Sequence, residues 1–172
     1  MKTIELLKFI QSKIGGELDS KAAIGYENHK LNIPRLLVEI QDKHVRFEIN
    51  NKTELFINVY SKPPHLLKIY HENLATKLLD KVHLHSEIKI GDEEFDDKYV
   101  IEFATPEVAQ RTMTTEFKER ILNLEPFKIF KMTKRDYTLL KDINKDYDVD
   151  NAENDIENMV KIVNICGEVW KD

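Results

Sequence analysis

An acidic stretch near the C-terminus has the residue types and spacing of a calcium-binding loop. Oxygen-bearing side chains recur at alternating positions over residues 142–153 and end on a glutamate, as a hard cation with six to eight oxygen ligands requires. The candidate ligands are Asp142, Asn144, Asp146, Asp148, Asp150 and Glu153. Tyr147 stands where such a loop uses glycine for a left-handed turn. The alternative interpretation is a solvated acidic loop that caps the last helix.

Two histidines form a second set of candidate metal ligands. His83 and His85 are two residues apart, so in an extended strand both imidazoles point to one face. A first-row metal such as zinc could bind this pair together with Glu87 or Asp92. The apolar residues that alternate with them favour a simpler interpretation, two exposed histidines on the solvent face of a strand.

No residue pattern predicts a catalytic site. The single cysteine, Cys166, falls on the apolar stripe of the last helix, where a free thiol behaves as a small hydrophobic group. The sequence contains no Gly-rich phosphate loop, no nucleophile elbow and no Walker-type lysine. We therefore predict no cofactor other than the calcium or zinc considered above.

The charge balance argues against nucleic acid as a partner. The chain of 172 residues has 26 basic and 31 acidic side chains, a net charge of −5. Residues 1–80 hold 12 basic and 10 acidic side chains, whereas residues 81–172 hold 14 and 21, a balance of −7. An acidic half repels a phosphate backbone, and no stripe of Lys and Arg interleaved with aromatics occurs.

The sequence predicts no membrane contact and no export. No run of about 18 apolar residues occurs, so a membrane span is not predicted. Glu5, Lys8 and Lys13 interrupt the N-terminal segment, unlike the apolar core of a signal peptide. One cysteine allows no intramolecular disulfide. The expected location is the cytoplasm.

Hydrophobic spacing predicts a helix at each end of the chain. The first carries an apolar stripe that Gly15 and Gly16 end, namely Ile4, Leu7, Ile10 and Ile14. The last begins after a cap at Asp150 or Asn151. Its stripe, predicted to be dry throughout, is Ile156, Met159, Val160, Val163, Cys166 and Trp170. Two further helix starts are predicted at Thr105, which precedes a proline, and at Thr114.

Alternating apolar residues predict strands through the middle of the chain. The predicted ranges are 20–26 as an edge strand, 36–40, 45–49, 55–60, 67–70, 99–103, and a hairpin over 127–140. Residues 72–85 have the spacing of a short helix. Short polar turns between successive strands favour antiparallel pairing. We predict one α+β domain over residues 1–172, with an antiparallel sheet packed by the N-terminal and C-terminal helices.

One segment resembles a family of prokaryotic proteins of unknown function. Residues 91–101 are similar to its signature G-D-x-x-F-D-x-x-[FY]-x-[VI], with Gly91, Asp92, Phe95 and Asp96 at the first four fixed positions. Residues 107–120 are similar to the helix pair that follows in that family, E-x-A-x-x-x-[LM]-T-x-x-[FM]-x-E-R. The resemblance implies a fold and brings no activity with it. Physically, Asp96 is expected to accept backbone N–H groups, although a cation-binding acidic loop is the alternative.

The absence of a catalytic pattern favours a non-enzymatic binding or protein-interaction module, acting with a protein partner or a second copy. Tyr60, Tyr70 and Phe130 are candidates for an exposed partner surface. The alternative is a metal-dependent enzyme or calcium-binding protein that uses residues 142–153 or the pair His83 and His85. A third hypothesis is an apolar pocket for a small ligand between sheet and helix.

Overall fold

The computed structural model describes residues 3–20, 23–24, 31–50, 53–71, 88–103, 105–143 and 147–171. Its helices, in chain order, are α1 (Thr3–Ile14), α2 (Glu93–Lys98), α3 (Pro106–Thr112), α4 (Thr115–Asn123) and α5 (Val149–Val169). Its strands are β1 (Glu17–Asp19), β2 (Ala23–Ile24), β3 (Leu31–Asn32), β4 (Arg35–Ile40), β5 (Lys43–Asn50), β6 (Glu54–Tyr60), β7 (Leu67–His71), β8 (Tyr99–Phe103), β9 (Ile129–Met132) and β10 (Asp136–Asp142).

Eight of the described strands form one sheet in which all neighbours are antiparallel. Their order is β1-β4-β5-β6-β10-β9-β7-β8, and β2 and β3 form a separate ribbon. The predicted α+β fold, an antiparallel sheet packed by the N-terminal and C-terminal helices, is confirmed. Of the edge strand predicted over residues 20–26, Ala23–Ile24 is a strand, but it belongs to the separate ribbon, and the edge of the sheet beside β4 is formed by β1. Residues 21–22 and 25–26 lie outside the described residues.

A tight hairpin joins β4 to β5 and fixes which side chains enter the core. Gln41 and Asp42 have φ angles of 48° and 60°, the left-handed values that match the twist of a two-residue hairpin. The turn is therefore two residues long, whereas the predicted strand ranges 36–40 and 45–49 leave four residues between them. With this register Val45, Phe47 and Ile49 are 1%, 0% and 3% exposed, as the alternation predicts.

Helices cover the inner face of the sheet and bury its apolar side chains. The residues Leu6, Leu7 and Ile10 of α1 are buried, and α1 contacts α5. The long helix α5 buries one stripe over β6 and β10, with Cys166 only 1% exposed. Trp170 is instead half-buried at the C-cap of α5, so the prediction that it lies dry is wrong.

The start of α5 differs from the prediction by two to three residues. Asp148 is the N-cap, and its carboxylate accepts the backbone N–H of Asn151 at 3.0 Å. The Asn151 side chain accepts the backbone N–H of Asp148 at 3.0 Å in return. This reciprocal capping box satisfies two N–H groups, so Asp150 and Asn151 lie inside the helix.

Two of the three aromatic residues predicted to be exposed are buried. Phe130 of β9 is 0% exposed, because its register with β10 turns it toward the helices. Tyr70 is 7% exposed, and its hydroxyl donates to Glu102 at 2.8 Å. Tyr60 is half-buried, with the Arg46 guanidinium 5.2 Å from its ring centroid. A partner surface built on Phe130 and Tyr70 is therefore excluded.

Candidate binding site

Residues 90–98 form a turn followed by α2. Gly91 has a φ of 81°, a left-handed angle that favours glycine. Asp92 caps α2 by accepting the Phe95 N–H at 3.2 Å. The Asp96 carboxylate accepts the backbone N–H groups of Ile90 and Gly91 at 3.0 and 2.9 Å. The backbone-binding role predicted for Asp96 is confirmed.

Helix α4 lies across the surface from α2. Thr114 caps it by accepting the Phe117 N–H at 3.2 Å, at the predicted start. Phe117 is buried, and its ring meets that of Phe130 edge-on at 6.2 Å. Residues three and four apart share one face of a helix, so Lys118 and Leu122 lie on the same side of α4.

A surface cavity of about 150 Å³ lies between α2 and α4. Its walls are mostly apolar, with Phe95 on one side and Leu122, which is 40% exposed, on the other. The lining residues are Asp92, Glu94, Phe95, Lys98, Thr115, Lys118, Glu119 and Leu122. Residues from 92–98 and from 115–122 therefore meet at one place on the surface.

An ion pair links the two helices at this cavity. The Lys118 ammonium group donates to the carboxylate of Asp92. That hydrogen bond, together with the one from the Phe95 N–H, holds the pKa of Asp92 below its usual range. Because Asp92 also caps α2, the pair fixes the start of α2 against α4.

A hydrogen-bonded cluster lies behind the Phe95 wall of the cavity. The Tyr99 hydroxyl donates to Glu125, and Lys98 Nζ and His71 Nε2 lie 3.2 and 3.1 Å from its carboxylate. Burial raises the pKa of Glu125, but these hydrogen bonds and the His71 charge outweigh it and lower the pKa overall. The Phe95 and Tyr99 ring centroids are 4.6 Å apart, so the cluster supports the cavity wall.

Another cavity, of about 160 Å³, lies between the segment before α2 and helix α3. Its lining residues are Ile88, Lys89, Ile90, Pro106, Glu107, Ala109 and Gln110. It lacks an exposed large apolar side chain among these residues, unlike the α2–α4 cavity with Leu122. We therefore treat the α2–α4 cavity as the candidate site.

A buried charged triad was not predicted from the sequence. Lys141 of β10 and Asp155 of α5 are 3% and 1% exposed, and Lys141 Nζ lies 2.7 and 2.8 Å from the two carboxylate oxygens. The Tyr147 hydroxyl donates to the same carboxylate at 2.8 Å. Burial raises the pKa of Asp155, and its two partners oppose that rise. The triad ties the last strand to the last helix.

The described residues of the predicted calcium loop lie on two different elements, and two of their carboxylates already bind other groups of the protein. Asp142 ends β10 and lies 2.7 Å from Lys128 Nζ, while Asp148 caps α5. Asp150 and Glu153 are exposed on α5. Asn144 and Asp146 lie outside the described residues, so the calcium site stays a prediction.

The histidine pair also stays a prediction. His83 and His85, with Glu87, lie outside the described residues. In the part of the chain that the structure describes, no group of three or more His, Cys, Asp or Glu side chains could hold a metal ion. Cys166 is buried, and burial raises the pKa of its thiol to about 11.

The fold and the site together define an α+β chain with an eight-stranded antiparallel sheet, helices on its inner face and a side-chain-sized cavity between two short helices. Its fold is similar to that of the crystal structure of the mycobacterial trehalose monomycolate transport factor A, TtfA, with a TM-score of 0.66 over 96% of each chain and 10% sequence identity. No family model matches the chain, and no curated protein is significantly similar to it in sequence. None of the described helices is long and apolar enough to cross a membrane.

Proposed function

We propose that the protein is a non-enzymatic binding module that takes one apolar side chain of a protein partner into the α2–α4 cavity. The observation that carries this proposal is the surface cavity between α2 and α4, whose walls are mostly apolar and include the exposed Leu122. The proposal keeps the cytoplasm, the location expected from the sequence, as the place of action.

The size of the cavity favours a protein side chain over a larger small molecule. An apolar cavity of about 150 Å³ holds one benzene-sized ring. Pockets for drug-sized ligands and cofactors span about 300–1,000 Å³. A single aromatic ring such as that of Phe is therefore the best-matched occupant, and buried aromatic anchors contribute much of the binding energy at many protein interfaces.

The exposed side chain of Leu122 favours binding of an apolar group at this surface. Leu122 is 40% exposed beside the cavity, and an apolar anchor would remove it from water. Burying one large apolar side chain contributes about 1.5–3 kcal/mol, so the partner must add polar contacts around its anchor. The protein of like fold is named for a role in transport. At least one protein with this fold is therefore named as a transport factor and not as an enzyme.

A selection of displayed random peptides on the full chain tests the proposal. We expect enriched peptides to share one large apolar residue and to lose binding to the variant Leu122→Gln. Leu37→Gln is the matched control, because Leu37 is 39% exposed and lies on β4, away from the cavity. Circular dichroism would establish that both variants are folded.

Two outcomes would overturn the proposal. One is a selection that enriches no peptide on the folded full chain. The other is a set of enriched peptides that bind Leu122→Gln as tightly as the unsubstituted protein.

A further inference from the structure

Two carboxylates at the rim of the α2–α4 cavity have no ion-pair partner among the described residues. The lining side chains include three carboxylates and two ammonium groups. Both ammonium groups are already paired, Lys118 with Asp92 and Lys98 with Glu125. Glu94 and Glu119 have no ion-pair partner among the described residues, and both are exposed.

The two unpaired carboxylates come from different walls of the cavity. Glu94 belongs to α2 and Glu119 to α4, and both line the cavity. An anchor seated between the helices would therefore have a carboxylate from each helix beside it. The C-terminal half of the chain, which supplies all of these residues, carries an excess of seven acidic over basic side chains, 21 against 14.

We infer that the partner segment carries lysine or arginine on both sides of its apolar anchor. This inference rests on the proposed function, because it assumes that an anchor enters the cavity. Cationic flanks would pair with Glu94 and Glu119, whereas acidic flanks would be repelled. Charge around the anchor thus selects the partner, while the cavity supplies the apolar contact.

Three synthetic peptides that differ only in flanking charge test the inference. Each has a central phenylalanine, flanked on both sides by two lysines, two serines or two glutamates, with blocked ends. Two flanking residues are used because successive side chains of an extended segment point to opposite sides. Binding to the full chain would be measured by backbone amide chemical shifts, which also report whether α2 and α4 are the site.

We expect the lysine peptide to bind about threefold to tenfold more tightly than the serine peptide, and the glutamate peptide to bind most weakly. The difference should shrink at about 0.5 M salt, because salt screens exposed pairs. The double variant Glu94→Gln with Glu119→Gln should lose most of the lysine preference. The double variant Glu17→Gln with Glu39→Gln, which makes the same charge change on exposed residues of β1 and β4, should keep it.

The outcomes separate this inference from the proposed function. Equal binding of the three peptides at the α2 and α4 amides would overturn the charge preference and leave the apolar site standing. A lysine preference that survives the Glu94 and Glu119 substitutions would also overturn it. If no peptide shifts amides of α2 or α4, the proposed function itself fails.

Discussion

Replacing Asp155 with asparagine is expected to destabilise the protein strongly, because it leaves a buried ammonium group without its counter-charge. The Lys141 and Asp155 side chains are 4% and 1% exposed, and their charged atoms are 2.7 Å apart. Removing one partner of such a buried pair costs about 3–5 kcal/mol. Folded domains are stable by only about 5–15 kcal/mol, so Asp155→Asn removes a large part of the free energy of unfolding.

A double variant separates charge from packing in this triad. Lys141→Met with Asp155→Leu replaces both charges by apolar groups of similar size, a change that is often neutral or stabilising for buried pairs. We therefore expect the double variant to be more stable than either single one. Tyr147→Phe removes a single hydrogen bond to the carboxylate and should cost about 1.5–3 kcal/mol.

Urea unfolding followed by tryptophan fluorescence measures these effects, since Trp170 at the end of α5 is the single tryptophan of the chain. With a urea slope of about 1–3 kcal/mol/M, a loss of about 3 kcal/mol lowers the midpoint by about 1–3 M. Asp142→Asn is the control, because its carboxylate is 60% exposed and its pair with Lys128 contributes about 0–1 kcal/mol. The reasoning is refuted if Asp155→Asn shifts the midpoint no more than Asp142→Asn. It is equally refuted if the double variant is as unstable as the two single losses added together.

Two further predictions concern protons and cations. Burial raises the pKa of Glu125, but the hydrogen bond from Tyr99 and the neighbouring cations leave this pKa below the ordinary 4.5. The stabilising contribution of the Glu125 carboxylate is therefore fully present above pH 4.5 and is lost as the pH falls through the lowered pKa. In urea titrations from about pH 6 to about pH 3, the stability gap between the wild-type protein and Glu125→Gln should therefore close, and a gap that is constant with pH would contradict the assignment. Because Asp142 is ion-paired and Asp148 caps α5, we expect millimolar Ca²⁺ to leave the melting temperature unchanged, whereas a rise of several degrees would establish the loop as a cation site.

The strands and end helices were predictable because burial imposes a simple period on each. Val45, Phe47 and Ile49 alternate with charged residues, so only one register places all three in the core. In β9 the alternation gives no answer, because Ile129 and Phe130 are both apolar and their side chains point to opposite faces of the strand. Their orientation is set by pairing with β10, which a single strand does not encode.

The buried triad was missed although the sequence holds a signal for it. Lys141 continues the inward phase of Tyr137 and Leu139 in β10, and Asp155 lies in phase with Met159 of the apolar stripe in α5. One charge on an apolar face indicates the end of an element. Two opposite charges on apolar faces that pack together indicate a buried pair, since each offsets the desolvation of the other.

The cavity could not be predicted from local spacing. Asp92 and Lys118 are 26 residues apart on two short helices, and no periodicity of either helix relates them. Their meeting depends on how α2 packs on β8 and how α4 packs on α5. Neither helix therefore carries a local signal that its side chains share a surface with the other.

The residues around the cavity divide into those the fold requires and those it does not. Phe95 and Phe117 are 3% and 0% exposed, so a chain with this architecture needs apolar groups at these positions whether or not it binds anything. Glu94, Glu119 and Leu122 are exposed and contribute little to the core. The similarity of fold to a protein with 10% sequence identity shows that this architecture does not require the same residues at most positions. Retention of these three side chains in homologues that vary elsewhere on their surfaces would therefore reflect binding, whereas retention of the two phenylalanines alone would reflect packing.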